Sequence, residues 1–120
     1  MAKIERFEDL KSWQKARGLA NLIYDFSEDG GFAKDFELRN QIRSAAGSSM
    51  HNIAEGFDAG TDAEFVRFLK IARRSASEVQ SQLYLALDRK YITEDQRQTA
   101  YKTATEVKRL INGFIGYLHK

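Results

Sequence analysis

The residues with the widest chemical repertoire in this chain are its two histidines, His51 and His119. His51 precedes Glu55 by four residues, so on a helix the two share a face. Such a pair can hold a metal when other helices add ligands. Carboxylate-bridged bundles take Glu-x-x-His from two helices, and no Glu-x-x-His occurs here. The plainer reading of His51 is a polar surface or interface residue. The chain has no cysteine, which excludes disulfides, thiolate ligands and a cysteine nucleophile. Ser44, Ser48, Ser49, Ser75 and Ser77 stand in no Gly-x-Ser-x-Gly elbow, and with His119 expected to fray next to the C-terminus, only His51 offers an imidazole base. They read as small helix-packing residues. Neither glycine-rich phosphate loop, Gly-x-Gly-x-x-Gly or Gly-x-x-x-x-Gly-Lys-Ser/Thr, is present. The expectation is a protein that is not an enzyme, with no catalytic residue, metal set or cofactor.

Asn52 and Glu55 flank the apolar Ile53. A returning third helix would bring Arg67 or Arg73 near them. The expectation is a partly buried polar network that fixes helix register, costly to half-break because a charge is left unpaired. A ligand-contacting role is the alternative.

The basic residues give the one hint of a partner. Arg67, Lys70, Arg73 and Arg74 fall within eight residues that contain no acid. At about 100° per residue they occupy one outward arc of a helix. Arg39 and Arg43 form a second pair spaced i,i+4. Such arcs commonly only solvate a helix face; the sharper reading is contact with RNA or DNA phosphates, which favour clustered cations. Net charge is only +2, from 19 basic and 17 acidic residues, so charge alone names no nucleic-acid partner.

The elements that must position these residues are helical. A length of 120 residues, 42% hydrophobic and 30% charged, suits one domain over residues 1–120. No proline interrupts a helix. Four segments of helical period are expected at about 8–27, 35–57, 62–88 and 94–118. Trp13, Ala16, Ala20 and Ile23 mark the first, which should end at the Gly30-Gly31 turn. Ile42, Ala46, Ser49 and Ile53 mark the second, with Gly47 its weakest point. Leu69, Ala72, Ala76, Val79, Leu83 and Ala86 mark the third, behind a Thr61–Glu64 capping box. Ala100, Ala104, Val107, Ile111, Phe114 and Leu118 mark the fourth, behind a Thr93–Gln96 box. Spacing near 3.5 residues and short loops predict an all-α, antiparallel up-down-up-down, left-handed four-helix bundle. Ile71, Leu85 and the uncharged Asn112–Gly116 stretch are candidates for a subunit interface. Met1-Ala2-Lys3 opens no apolar leader, and no apolar run is long enough for a membrane span. A cytoplasmic protein is expected.

Four ordered stretches are also familiar. Phe7-Glu8-Asp9-Leu10-Lys11-Ser12-Trp13-Gln14-Lys15-Ala16, Gln41-Ile42-Arg43-Ser44-Ala45-Ala46, Asn52-Ile53-Ala54-Glu55-Gly56-Phe57 and Glu64-Phe65-Val66-Arg67-Phe68-Leu69-Lys70-Ile71-Ala72-Arg73 resemble bacterial four-helix bundle proteins encoded in 23S ribosomal RNA intervening sequences. The resemblance runs from about Phe7 to Leu118. It departs at Met50, where relatives commonly carry proline, so a kink should be milder here; Lys34 to Asn40 match loosely. It implies a ring-like homopentamer and kinship with the accessory variability determinant of diversity-generating retroelements, a basic pentamer that partners a reverse transcriptase and nucleic acid. That kinship implies a role for Arg39, Arg43, Arg67, Lys70, Arg73 and Arg74, and no catalytic residue. The expected function is a non-enzymatic oligomeric adaptor for nucleic acid. A protein–protein assembly module without nucleic acid is the alternative.

Overall fold

The structure, a computed structural model, describes residues 4–119. The Met1–Lys3 leader expectation therefore lies outside the described residues, as does the last residue of the expected domain. A 3-10 turn at Phe7–Asp9 leads into α1 (Lys11–Phe26), a short α2 (Gly30–Lys34), and three long helices, α3 (Phe36–Phe57), α4 (Asp62–Asp88) and α5 (Glu94–Leu118). Among the described residues there is no strand. The expected second, third and fourth segments correspond to α3, α4 and α5.

Two local departures have clear causes. The first helix does not begin at Glu8. Leu10 takes an extended backbone, φ −73 and ψ 125, and sinks into the core at 3% exposure. Phe7 packs edge-on against Trp13 from the turn before it. The Gly30-Gly31 pair is not only a turn. Gly30 reverses the chain at φ 66, and the following residues wind α2 because Phe32 is buried and stacks on Tyr91 at 5.4 Å. Tertiary burial overrides the poor helix propensity of glycine. Gly31 also lies where an added Cβ would come within 3.1 Å of the Tyr91 ring.

The helix starts follow their caps. The Asp35 side chain accepts from the Leu38 amide and takes the Tyr91 hydroxyl on its other oxygen. Thr61 accepts from the Glu64 amide, but Glu64 turns to Arg67 instead of back to Thr61. Only half of that expected box forms. Thr93 and Gln96 complete both halves of theirs. At the end of α4, Lys90 adopts φ 64. Its amide donates to the Leu87 carbonyl and that of Tyr91 to the Ala86 carbonyl, the pattern that glycine usually serves.

Each long helix packs against two others: α3 on α1 and α4, and α5 on α1 and α4. Ser48 meets Ser75 while Gly56 abuts Phe65 and Phe68, so α3 and α4 run in opposite directions. Ser77 meets Lys108 while Arg73 meets Asn112, so α4 and α5 do too. The α1–α3 and α4–α5 seams consequently lie on opposite sides of a rod 45 × 22 × 19 Å.

The predicted stripes are the core. Leu69, Ala72, Ala76, Val79, Leu83 and Ala86 are all buried, as are Ile42, Ala46, Ser49 and Ile53. On α5 the stripe ends at Ile115, with Phe114 only partly covered. Helix α3 passes through Gly47 and Met50 without a break. The core has two apolar clusters, one around Ile23, Ile42 and Leu83, the other around Trp13, Ile53 and Leu69, and Met50 packs against both.

Candidate functional site

The Asn52–Ile53–Ala54–Glu55–Gly56–Phe57 stretch proves to be a clamp between α3 and α4. Asn52 Nδ2 donates to the Ser48 carbonyl and hydroxyl, each at 2.9 Å. The Ser48 hydroxyl lies 2.9 Å from that of Ser75 on α4. Ile53 is fully buried. Gly56 sits so close to α4 that a Cβ would fall 2.7 Å from Phe68 and 2.9 Å from the Phe65 ring. Of the expected network only Asn52 takes part, and its partners are Ser48 and, through it, Ser75 rather than Glu55, Arg67 or Arg73. Glu55 is exposed, and nothing in the structure explains it. Arg67 is held on its own helix by Glu64 at 3.0 Å, and Arg73 reaches α5 instead.

The basic candidates separate into three groups. Arg39 and Arg43 are occupied on the α1–α3 side. Arg43 donates from Nε to the Ser27 hydroxyl at 2.8 Å and from Nη2 to the Ser27 carbonyl at 3.1 Å, across the Tyr24 ring. It ties off the free carbonyl end of α1, where a cation also meets the helix dipole. Arg39 does the same for the Ala33 carbonyl of α2. Arg67 is exposed but paired with Glu64 and laid over Phe68.

Lys70, Arg73 and Arg74 stay together and gain a fourth cation. They line a shallow groove on the α4–α5 seam with Ser77, Lys108 and Asn112. Buried Gln80 keys the two helices below it, donating to the Tyr101 carbonyl and the Thr105 hydroxyl. Arg73 Nη1 donates to Asn112 Oδ1 at 2.6 Å. Lys108 Nζ donates to the Ser77 hydroxyl at 3.2 Å. Lys70 and Arg74 are exposed, and among the described residues neither makes a side-chain hydrogen bond or ion pair.

The chemistry of these pairings sets the groove apart. Arginine and lysine only donate, so Asn112 and Ser77 must accept from them. That leaves the Asn112 NH2 and the Ser77 hydroxyl proton to donate onward. Among the described residues no carboxylate lines the groove, so Arg73 and Lys108 are oriented without being neutralised. Elsewhere Arg6, Arg67, Arg97 and Arg109 are each neutralised by a glutamate, whereas Arg39 and Arg43 meet neutral acceptors but are spent on helix ends. Hydrogen bonds from Arg6, Arg97 and Arg109 hold Glu8, Glu94 and Glu106 below the usual carboxylate range. The α1–α5 groove also carries Lys11, Lys15 and Arg109, but Glu106 stands in it.

Sequence reasoning missed Lys108 and gave Ser77 and Asn112 other roles, helix packing and a subunit interface. Lys108 sits next to the core position Val107 on a different helix from the arginine stripe. Only the facing register of α4 and α5 reveals it. His51 lies against Gly47, exposed like Glu55. Among the described residues no three of His, Asp or Glu gather as a metal-holding group. Among them also, no helix is long and apolar enough to cross a membrane.

The model of one family, 23S rRNA-intervening sequence protein, matches residues 8–113. The chain belongs to this family. The matched span includes the Asn52–Phe57 clamp and all six lining residues of the α4–α5 groove. A solved structure has a similar fold. It is that of a protein with unknown function from the S23 ribosomal protein family of Bacteroides thetaiotaomicron VPI-5482. The two are 26% identical with a TM-score of 0.79, over 88% of this chain and 95% of that one. Among curated proteins, none matches the chain.

Proposed function

We propose that this intervening-sequence family member is a non-enzymatic adaptor that binds the phosphate backbone of RNA or DNA along its α4–α5 seam. The observation that carries the reading is the one-sided hydrogen bonding of the groove. Lys70, Arg73, Arg74 and Lys108 converge there, Arg73 and Lys108 held by neutral acceptors and, among the described residues, no acid lining the groove. Donor-only surroundings with uncompensated charge suit a phosphate oxygen. The resemblance to the retroelement accessory determinant adds support. Arg67 belongs to the same arc and would exchange Glu64 for a phosphate. Arg39 and Arg43 contribute only through the architecture they hold.

The opposed helix pairs and the near-3.5 spacing support an up-down-up-down, left-handed bundle. By resemblance it assembles as a homopentamer. One groove on a chain of net charge +2 binds loosely; repetition around a ring raises avidity without new contacts. A reverse transcriptase or another protein client, met in the cytoplasm, completes the reading.

A salt titration tests it. Four cations that each engage a phosphate give a log–log slope of affinity on salt of about −3 per groove. Arg73→Glu with Arg74→Glu should remove most of that slope. No binding to structured RNA at low salt overturns the reading.

A protein–protein assembly module is the second reading. It is favoured by an open cavity where α1 starts and α5 ends, lined by Leu10, Phe57, Phe65, Phe114, Tyr117 and Leu118 among others. On this reading the charge reversal leaves partner capture intact.

A further inference from the structure

The α4–α5 seam does not end at the cationic groove. On α4 the residues facing α5 are Arg73, Ser77, Gln80 and Tyr84, and on α5 their partners are Asn112, Lys108, Thr105 and Tyr101. The last rung is aromatic. Tyr84 meets Tyr101 edge-to-face at 5.9 Å. Arg97 lies over both rings, at 5.0 and 5.6 Å, and is itself fixed by Glu94. The Tyr84 residue remains 47% exposed. One side of its ring is thus braced, while much of the residue faces water at the head of a cation-lined track.

We propose that this seam selects single-stranded nucleic acid, with the backbone on Lys70, Arg73, Arg74 and Lys108 and an unpaired base stacked on Tyr84. The inference rests on the phosphate-binding reading and adds the class of nucleic acid. Seven residues of helix separate Tyr84 from Ser77, about 10 Å at 1.5 Å per residue. A single strand spans that gap with a few nucleotides, since stacked bases of one strand lie about 3.4 Å apart. In a duplex the bases are paired and enclosed, so an aromatic platform outside the helix has no face to meet. Every base has a π-face, so a lone tyrosine platform tolerates any sequence. A ring already held by Arg97 and Tyr101 loses little freedom when a base lands on it. Arg97 behind the ring is neutralised by Glu94, which leaves the charge to the groove and the stacking to the ring.

Fluorescence anisotropy with labelled RNA of about 12 nucleotides, a length typical of single-strand sites, separates the terms. Three probes are used: the single strand, its duplex, and an oligomer of the same length with abasic residues. Tyr84→Ala should weaken the single strand about tenfold, the loss of one stacked base, and leave the duplex and abasic probes unchanged. Tyr84→Phe, which keeps the ring and its packing, should restore wild-type affinity. Equal weakening of all three probes, or none, overturns the inference while the phosphate reading stands. A shift of sedimentation coefficient in Tyr84→Ala with unchanged RNA binding overturns it as well, because the ring then belongs to a subunit contact. If Arg73→Glu with Arg74→Glu leaves all three probes at wild-type affinity, the phosphate reading fails and this inference fails with it.

Discussion

Of the glycines, Gly56 has the least room for a side chain. Its missing Cβ lets α3 lie against Phe65 and Phe68. Gly56→Ala adds helix propensity, yet the methyl must push one helix off the other. Overpacking of this kind costs about 1–3 kcal/mol, so urea denaturation should show a net loss of stability. Gly47→Ala is the internal control. An added methyl there meets only His51, at 3.7 Å, and should stabilise α3 by about 0.5–1 kcal/mol. Arg43 makes a separate point. Its donors reach the Ser27 hydroxyl, the Ser27 carbonyl and the Tyr24 carbonyl. Arg43→Met should therefore lower stability by about 1–3 kcal/mol, as buried acceptors lose their donor. RNA affinity should stay unchanged, whereas Arg74→Glu should do the reverse. In the sequence, Arg43 and Arg74 look alike: both are arginines in an acid-free stretch of helix. What tells them apart is the end of α1, brought up by a turn whose geometry no periodicity encodes. Lys108 escaped notice for the mirror-image reason, since a lone lysine on α5 becomes part of a site only through its facing helix.

Among the elements, the long helices were legible because pattern, caps and burial agree. Six alternating apolar positions predicted the inner face of α4, and all six are buried. The second cap box was legible as well: Thr93 and Gln96 exchange both hydrogen bonds. Thr93→Ala should cost about 1 kcal/mol, read as a lower midpoint in thermal unfolding. The short α2 was not legible, because two glycines speak against a helix and only the burial of Phe32 speaks for it. Acid behaviour belongs to this scale too. Glu8, Glu94 and Glu106 are lowered by hydrogen bonds from Arg6, Arg97 and Arg109. A carboxylate lowered in the folded chain stabilises it above the unfolded value, near 4.3. That contribution fades as pH falls through the folded values. A variant with all three glutamates changed to glutamine should show a flatter loss of stability below about pH 4.5, measured by denaturant midpoints across pH. The end of α4 offers a gain. Lys90 holds a left-handed backbone at φ 64, which costs about 1 kcal/mol for a residue with a Cβ. Lys90→Gly should raise the unfolding midpoint.

For the molecule as a whole, the all-α class and the family were legible, and the proposed binding surface was legible in part. The arginine arc pointed to one face of α4, and Lys70, Arg73 and Arg74 do line one groove. Separation of Arg39, Arg43 and Arg67 from that groove was hidden, because it depends on which acceptors surround each guanidinium in three dimensions. On the proposed nucleic-acid reading, a net charge of +2 spread over one rod is a weak field, and repetition in a homo-oligomer would supply the avidity. Analytical ultracentrifugation beside RNA binding should find that variants which dissociate the assembly also flatten the salt slope.

Met50 touches both apolar clusters, with alanines and the Ser48–Ser75 contact near it. The apolar interior thus falls into two halves that meet at Met50. Protection of backbone amides against deuterium should divide accordingly. Met50→Ala should let the half around Trp13, Ile53 and Leu69 exchange at a rate of its own, while the half around Ile23, Ile42 and Leu83 keeps its protection. A chain built this way can loosen one end without surrendering the other.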